Sequence, residues 1–368
     1  MRFACPVSNL QSALSIAIKA LAPRPSAPIL DGVLLETCPE GLRLICTDLS
    51  FGIETTLEAT VSEEGRVVLP GKLLAEIIRK LPPGEVNVDI REGNRATIRC
   101  MGSRTTLAGM APDEYPPLPE VERSVGFTLE QGVLRDMIQK TAFAIATDES
   151  RPILTGCLLE ARGDTLNMVA LDGFRLALRR CPISGNEEPF SAVIPGKVLS
   201  ELSKILEGSD VPVSLSLNAS HVLADIGATR LTARLLEGEF IQYQKILPKE
   251  WTTRMEVSSR SLSEAIDRAS LIAREGKNNL VQFNVEKEKL TIFSNAELGE
   301  ANEEVSVFTE GKDLKIAFNV RYMGDMLKAL EEETIHMAFL SNVSPCVIKP
   351  ASGNAYEYLV LPVRVYTT

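Results

Sequence analysis

A stretch that the chain repeats three times decides the fold. Residues 68–81 read VLPGKLLAEIIRKL, residues 193–206 read VIPGKVLSELSKIL, and a weaker copy at residues 317–330 reads AFNVRYMGDMLKAL. The first two copies are offset by 125 residues and the last two by 124. A spacing of about 124 residues between copies corresponds to a whole domain, so the pattern predicts three domains of one architecture.

Other segments keep the same spacing. Residues 28–36 (PILDGVLLE) match residues 152–160 (PILTGCLLE), again 124 positions later. Tyr115 and Phe240 follow a glutamate in each copy and are matched in the same way. Several anchors in a consistent order indicate true internal repetition.

Each repeat has the pattern of helix, strands, second helix and further strands. Apolar spacing predicts first helices at residues 8–21, 129–143 and 261–272, the first with Ser8 as N-cap. The second helices are predicted to begin at Gly71, Gly196 and Val320. Period-two alternation predicts strands at residues 41–46, 165–170 and 289–293. Proline and charge mark linkers at residues 116–123 and 248–254. The sequence therefore predicts an α+β protein of three tandem domains, residues 1–123, 124–250 and 251–368.

Composition bounds the class of protein. The chain has 368 residues, 45% of them hydrophobic, and a single tryptophan, which is typical of a globular protein with aliphatic cores. Its seven cysteines are scattered without a C-x-x-C pair, so we expect reduced thiols. The first residues lack a signal peptide, and no apolar run approaches the ~18 residues that span a bilayer. We expect a cytoplasmic protein.

Residues that carry enzyme chemistry are scarce. The only two histidines, His221 and His336, lie in strand-like runs, where core or edge roles are commoner than catalysis. There is no phosphate-binding loop, no dinucleotide fingerprint, no nucleophile elbow and no zinc-ligand spacing. Asp48 and Asp172 occupy matched places, which favours turn formation over a carboxylate dyad. We expect a non-catalytic protein with no metal and no cofactor; a nuclease or nucleotidyltransferase with an unrecognised carboxylate site is the alternative.

The net charge of −10 disfavours nucleic acid as a partner, but the charge is unevenly placed. The second helix of each repeat carries a basic, an acidic and a basic residue at i, i+4 and i+7: Lys72/Glu76/Arg79, Lys197/Glu201/Lys204 and Arg321/Asp325/Lys328. This spacing puts the three charges on one helix face. Either these are ordinary solvated faces, or together they form a mildly positive surface.

The chain resembles a known family, the beta subunit of bacterial DNA polymerase III, which is also called the sliding clamp. The resemblance extends over essentially the whole length. It is carried by residues 24–30 (RPSAPIL), 150–156 (SRPILTG), 172–177 (DGFRLA), 239–243 (EFIQY) and 358–364 (YLVLPVR). It implies three clamp-fold domains per chain and two chains joined head to tail into a closed ring, with helices inside and sheets outside. It also implies a processivity factor that encircles duplex DNA without sequence preference, slides along it and tethers its partners.

The resemblance further implies a hydrophobic pocket for short peptide motifs of the replicative polymerase, the clamp loader and other partners. The matching positions are Leu154, Leu171, Gly173, Phe174, Arg175, Leu176, Ile241, Ile246, Val343, Leu359, Val360, Leu361, Pro362, Val363 and Arg364. Aliphatic side chains would bury the peptide anchors, and Arg175 and Arg364 would supply donors at the rim. From the residues alone, Leu359 to Val363 read equally well as a last core strand.

Two further residue sets follow from the resemblance. The positions expected to face DNA are Arg24, Lys72, Arg151 and Lys197. The positions expected to join two chains are Thr105 and Leu107 in the first domain and Leu271 and Ile272 in the third. Acidic Glu297, Glu300, Glu303 and Glu304 would then meet basic Arg95, Arg99 and Arg104. The competing interpretation is a monomeric three-domain scaffold for protein interactions.

Overall fold

The computed structural model describes residues 1–121, 125–183, 189–276 and 279–364. Within them the α-helices are α1 (Val7–Ala17), α2 (Gly71–Lys80), α3 (Gln131–Gln139), α4 (Gly196–Ile205), α5 (Ser259–Ala273) and α6 (Val320–Lys328). The strands are β1 (Arg2–Pro6), β2 (Gly32–Cys38), β3 (Gly41–Thr47), β4 (Phe51–Leu57), β5 (Thr60–Glu63), β6 (Arg66–Pro70), β7 (Glu85–Arg91), β8 (Arg95–Cys100), β9 (Ser103–Ala108), β10 (Val125–Glu130), β11 (Gly156–Arg162), β12 (Thr165–Leu171), β13 (Arg175–Pro182), β14 (Phe190–Pro195), β15 (Pro212–Leu217), β16 (His221–Ile226), β17 (Thr229–Arg234), β18 (Thr253–Ser258), β19 (Leu280–Val285), β20 (Lys289–Ala296), β21 (Gly299–Ser306), β22 (Phe308–Gly311), β23 (Leu314–Asn319), β24 (Thr334–Phe339), β25 (Cys346–Pro350) and β26 (Tyr356–Val360).

The second helices begin where the repeat predicts, at Gly71, Gly196 and Val320. The first helices α1 and α3 are shorter than predicted, because each gives way to a short 3₁₀ turn, Ile18–Ala20 and Ala142–Ala144. All three predicted strands are confirmed as parts of β3, β12 and β20.

The predicted N-cap Ser8 is wrong. Helix α1 begins one residue earlier, after Pro6, without a side-chain cap. The Val7 backbone N–H instead donates to the Gly84 carbonyl at 2.9 Å, so a neighbouring loop satisfies one of the free donors of this helix end. A serine cap does exist at α5, where the Ser258 hydroxyl accepts from the Ser261 N–H at 3.3 Å.

The chain forms two compact units, each with two antiparallel sheets. The first unit (Met1–Gly132 and Lys204–Leu235) contains the sheets β5-β1-β7-β8-β9 and β10-β15-β16-β17-β4-β3-β2-β6. The second unit (Val133–Ser203 and Leu236–Thr368) contains the sheets β14-β11-β12-β13-β26-β25-β24-β18-β22 and β21-β20-β19-β23. Both large sheets combine strands of two successive repeats.

Two strand pairings, here called joints, connect successive repeats. In the first joint β17 pairs with β4, and Thr229 lies opposite Thr55. In the second joint β13 pairs with β26, and Arg175 lies opposite Val360. The predicted domain boundary at 123/124 lies outside the described residues, and the boundary at 250/251 stays a prediction.

The predicted linker at residues 248–254 is too long by two residues. Arg254 belongs to β18, where it alternates with the buried Thr253 and Met255. Because Arg254 is charged, the sequence alone favours a loop at this position. In the strand, its side chain lies on the face opposite to that of Thr253 and Met255.

Candidate functional site

The matched aspartates form the turns between paired strands, as predicted. The Asp172 carboxylate accepts from the N–H groups of Phe174 and Arg175 at 2.9 and 3.0 Å. Gly173 has a φ of 92°, in the left-handed region that glycine tolerates. In the first repeat Asp48 accepts from Ser50 and Phe51 in the same way, at 3.0 Å each. These carboxylates are committed to turn geometry.

Arg175 holds this turn against helix α6 of the second unit. Its guanidinium lies 2.9 Å from Asp172 and 2.8 Å from Asp325, and its side chain is only 10% exposed. It also lies over the Tyr322 ring, 4.7 Å from the centroid. Arg175 was expected to offer donors at a pocket rim. Two carboxylates bind its guanidinium, so within the single chain Arg175 positions the turn, and its role toward a peptide stays a prediction.

Asp325 therefore departs from the predicted charge pattern. In α2 the acidic Glu76 pairs with Arg79 at 2.6 Å on the exposed face. The third copy of that residue, Asp325, is half-buried and reaches Arg175 instead. The aromatic Tyr322, absent from the predicted pocket, stacks on Phe174 with centroids 5.9 Å apart. No pattern in the sequence singles Tyr322 out.

The structure brings four of the predicted pocket leucines together. Leu154, Leu171, Leu176 and Leu359 belong to one buried apolar cluster of the second unit. Two predicted residues, Ile241 and Leu361, pack against it while partly exposed, as do Phe240 and Leu247. The four leucines are themselves only 2–3% exposed, so the accessible part of this apolar patch, called the leucine surface, consists of the partly exposed Ile241, Leu361, Phe240 and Leu247.

The other predicted pocket residues differ in exposure. Phe174 is 57% exposed, Val343 56% and Ile246 40%. Pro362 and Val363 are half-buried and Arg364 is exposed. Val360 is buried but is not a member of the leucine cluster, because adjacent residues of β26 face opposite sides of the sheet.

Tyr243 is a buried member of the same apolar cluster. Its hydroxyl donates to the Glu160 carboxylate at 2.5 Å, and burial together with that carboxylate raises the pKa of the Tyr243 phenol. It packs with Leu158 and Val193, whereas Tyr115 packs with their counterparts Leu34 and Val68. Tyr243 thus packs in a place like that of Tyr115, while Phe240, the match by sequence spacing, packs on the same cluster and is partly exposed.

The first joint is covered by a different residue. Gly52 in β4 stands where β13 has Leu176, and a methyl group added to it would collide with Leu118. Leu118, from the predicted linker, thus covers the first joint. Below it lie the buried Thr47 and Thr232, where the second joint has Leu171 and Leu359.

The predicted DNA-facing residues Arg24, Lys72, Arg151 and Lys197 are all exposed. Lys72 lies 3.9 Å from Asp31, a weak surface pair. No three His, Cys, Asp or Glu side chains of the described chain are arranged to hold a metal ion.

The residues predicted to join two chains differ in exposure. Leu271 is 65% exposed near the end of α5, beside the half-buried Ile272. Thr105 is half-buried on β9, the last strand of its sheet. Leu107 is only 7% exposed and belongs to the core of the first unit.

Comparison with known proteins settles the family. Three models of the DNA polymerase III beta subunit match in order: the N-terminal domain over residues 1–119, the central domain over 128–242 and the C-terminal domain over 244–364. The chain belongs to the DNA polymerase III beta subunit family.

Relatives within this family are similar over their full lengths. Beta sliding clamps of Staphylococcus epidermidis and Staphylococcus aureus are 35% and 34% identical over 363 residues, 96% of each chain. The solved sliding clamp of Bacillus subtilis has a TM-score of 0.96 at 32% identity, with both chains fully covered. The beta subunit of Thermotoga maritima has a TM-score of 0.93 at 31% identity, covering 99% of this chain and 100% of its own.

As a member of the beta subunit family, the chain is a DNA sliding clamp, a processivity factor and accessory subunit in DNA replication. Among the described helices, none has the length and apolar character needed to cross a membrane.

Proposed function

We propose that two copies of the chain close head to tail into a ring around duplex DNA, and that each copy tethers partner proteins through the leucine surface at its second joint. The chain itself carries out no chemistry in this proposal and acts in the cytoplasm. The observation that carries the proposal is a strand pairing that the repeat makes twice within the chain and leaves open a third time.

The open pairing concerns β9 and β21. Strands β4, β13 and β21 begin at residues 51, 175 and 299, so they are equivalent members of the three repeats. β4 and β13 pair with strands of the following repeat, whereas β21 ends its sheet. β17, the partner of β4, forms a hairpin with β16 as β9 does with β8. By this equivalence, β9 of a second copy pairs with β21.

Such a pairing also removes two exposed strand edges, which are otherwise prone to uncontrolled association. Because each copy has one β9 and one β21, two copies satisfy both edges and close the assembly. The hairpins align Thr105 with Leu231, which lies opposite Ile53 in the first joint. Ile53 corresponds to Ala301 two repeats later, so Thr105 of one copy would lie opposite Ala301 of the other. Leu271, exposed on α5, would be covered by the same contact.

Charge complements this contact in part. Arg95, Arg99 and Arg104 are exposed on β8 and β9, and Glu300 is exposed on β21. Two of the predicted acidic partners are already engaged within the chain: Glu303 lies 2.6 Å from Arg268 and Glu304 lies 3.3 Å from Lys289. Glu297 and Glu300 are therefore the acidic side chains that we expect to meet the arginines.

The contact with DNA would be sparse and independent of sequence. Arg24, Lys72, Arg151 and Lys197 are exposed, but acidic residues interrupt the basic helix faces. Each neutralised phosphate strengthens nonspecific binding, so a few contacts suit a ring that must slide. Retention on DNA then depends on closure of the ring.

The leucine surface suits a short apolar peptide of a polymerase or clamp loader. Its partly exposed side chains pack on the buried Leu154, Leu171, Leu176 and Leu359. Phe174, Ile246 and Val343 are further exposed apolar residues of the predicted pocket. A few desolvated anchors carry most of the energy in such contacts.

Retention on circular DNA tests the ring. Clamps loaded onto nicked circular DNA should stay bound through gel filtration in high salt and be lost when the circle is linearised. A monomeric interaction scaffold would be lost equally from both forms. Equal loss, together with a monomeric mass by light scattering, would reject the ring.

A further inference from the structure

The segment that carries most of the leucine surface is not a strand. Between β17 and β18 the described chain forms only one short 3₁₀ turn, Tyr243–Lys245. Phe240 and Ile241 precede this turn and Leu247 follows it, and all three pack on the buried leucines while partly exposed. Where these side chains lie therefore depends on what fixes the turn.

The main chain of Tyr243 connects the two ends of the turn. Its N–H donates to the Ile241 carbonyl at 2.7 Å, and its carbonyl accepts from the Ile246 N–H at 3.0 Å. Ile241 and Ile246 are both predicted pocket residues. Any displacement of Tyr243 would thus move two residues of the predicted pocket together.

The side chain of Tyr243 holds the turn to strand β11. Its hydroxyl donates to Glu160 Oε1 at 2.5 Å, and Gln244 Nε2 donates to the same oxygen at 3.4 Å. The other carboxylate oxygen of Glu160 lies 3.1 Å from Arg162. Glu160 is only 5% exposed. A buried carboxylate is costly unless its oxygens are hydrogen-bonded, so Glu160 and the phenol constrain each other.

The first repeat holds its buried tyrosine differently. The Tyr115 hydroxyl lies 3.2 and 3.0 Å from main-chain carbonyl oxygens of β2 and β3. Glu36, which matches Glu160 in the repeat, pairs with Arg43 at 3.0 Å. The bond between phenol and carboxylate therefore distinguishes the second repeat, which carries the leucine surface, from the first.

We infer that Tyr243 and Glu160 are positioning residues of the peptide site, whose hydrogen bond fixes the 3₁₀ turn and so presents Phe240, Ile241 and Leu247 to a partner. Neither residue needs to contact the peptide, because each is at most 5% exposed. A segment that is already ordered loses less conformational entropy when a peptide binds. The inference rests on the proposed peptide site and assigns it two residues that lie outside the predicted pocket.

Tyr243→Phe removes this bond and keeps the aromatic ring. It should weaken a fluorescein-labelled Gln-Leu-x-Leu-Phe peptide by about tenfold in fluorescence polarisation, since the segment must then be ordered on binding. The matched control Tyr115→Phe removes the same hydroxyl from the first repeat and should bind the peptide as the wild type does. Both variants lose a buried hydrogen bond, so both should melt at a slightly lower temperature.

Variants of the carboxylate test whether the bond itself matters. Glu160→Gln keeps an oxygen that can accept from the phenol and should retain most of the peptide affinity. Glu160→Leu removes the acceptor and should match Tyr243→Phe, and the double variant should bind no more weakly than either, because both changes remove one bond. Amide hydrogen exchange at Ile246, which donates within the turn, should be faster in Tyr243→Phe than in Tyr115→Phe.

The outcomes separate this inference from the peptide site itself. A wild-type chain that fails to bind the peptide rejects both. A wild-type chain and a Tyr243→Phe variant that bind equally tightly reject the positioning role alone. Equal weakening by Tyr243→Phe and Tyr115→Phe would also reject it, because the loss would then follow from stability and not from the turn.

Discussion

Replacing Leu271 and Ile272 by alanine should dissociate the ring without unfolding the chain. Leu271 is 65% exposed near the end of α5, so the fold of the single chain depends little on it. Complete burial of a leucine contributes about 1.5–3 kcal/mol, and burial of the exposed fraction therefore about 1–2 kcal/mol per interface. Ile272, already half-buried, adds a smaller amount.

The closed ring contains this contact twice, which doubles the effect on complete dissociation. Loss of Leu271 alone should therefore weaken the dimer by about 2–4 kcal/mol, or roughly 30- to 1,000-fold in Kd. The effect should appear as a shift to monomer in sedimentation velocity across a dilution series at micromolar concentration.

Leu49→Ala is the matched control. Leu49 is 61% exposed, a fraction similar to that of Leu271. It lies in the turn between β3 and β4 and belongs neither to α5 nor to the edge strands β9 and β21. That variant should remain dimeric, and both proteins should melt as the wild type does. If the Leu271/Ile272 variant keeps the wild-type dimer Kd, α5 does not take part in closure.

Three further expectations concern DNA, partners and thiols. Lys72→Glu with Lys197→Glu should flatten the salt dependence of DNA binding by roughly one unit of log–log slope per lost phosphate contact; an unchanged slope would exclude these lysines. Phe174→Ala, which removes a side chain 57% exposed, should weaken Gln-Leu-x-Leu-Phe peptides by about tenfold in fluorescence polarisation without changing the melt, and normal binding would exclude this surface. At pH 8 a thiol reagent should react slowly with Cys38 and hardly at all with the six buried cysteines, because burial raises the pKa of Cys157 to about 12 and the thiolate is the reactive form. Rapid release of all seven thiols from native protein would contradict this packing.

Parts of the candidate site could be predicted because they depend on short-range geometry. The aspartate turn before β13 is an example: Asp172 and Gly173 form it with neighbours only two or three residues away. The apolar residues of the leucine surface were also identifiable, once their places in the repeat were matched to the family. What Arg175 does there was not predictable, since its second partner Asp325 is 150 residues away.

The sequence by itself determined the triplicated architecture, the starts of the second helices and the turns between strands, because these follow from periodicity and from contacts within a few residues. The tertiary structure alone decided which strands join successive repeats, that Leu118 covers the first joint, and that Leu107 turns inward. The energies of such contacts depend on which surfaces meet, and local sequence patterns do not record that.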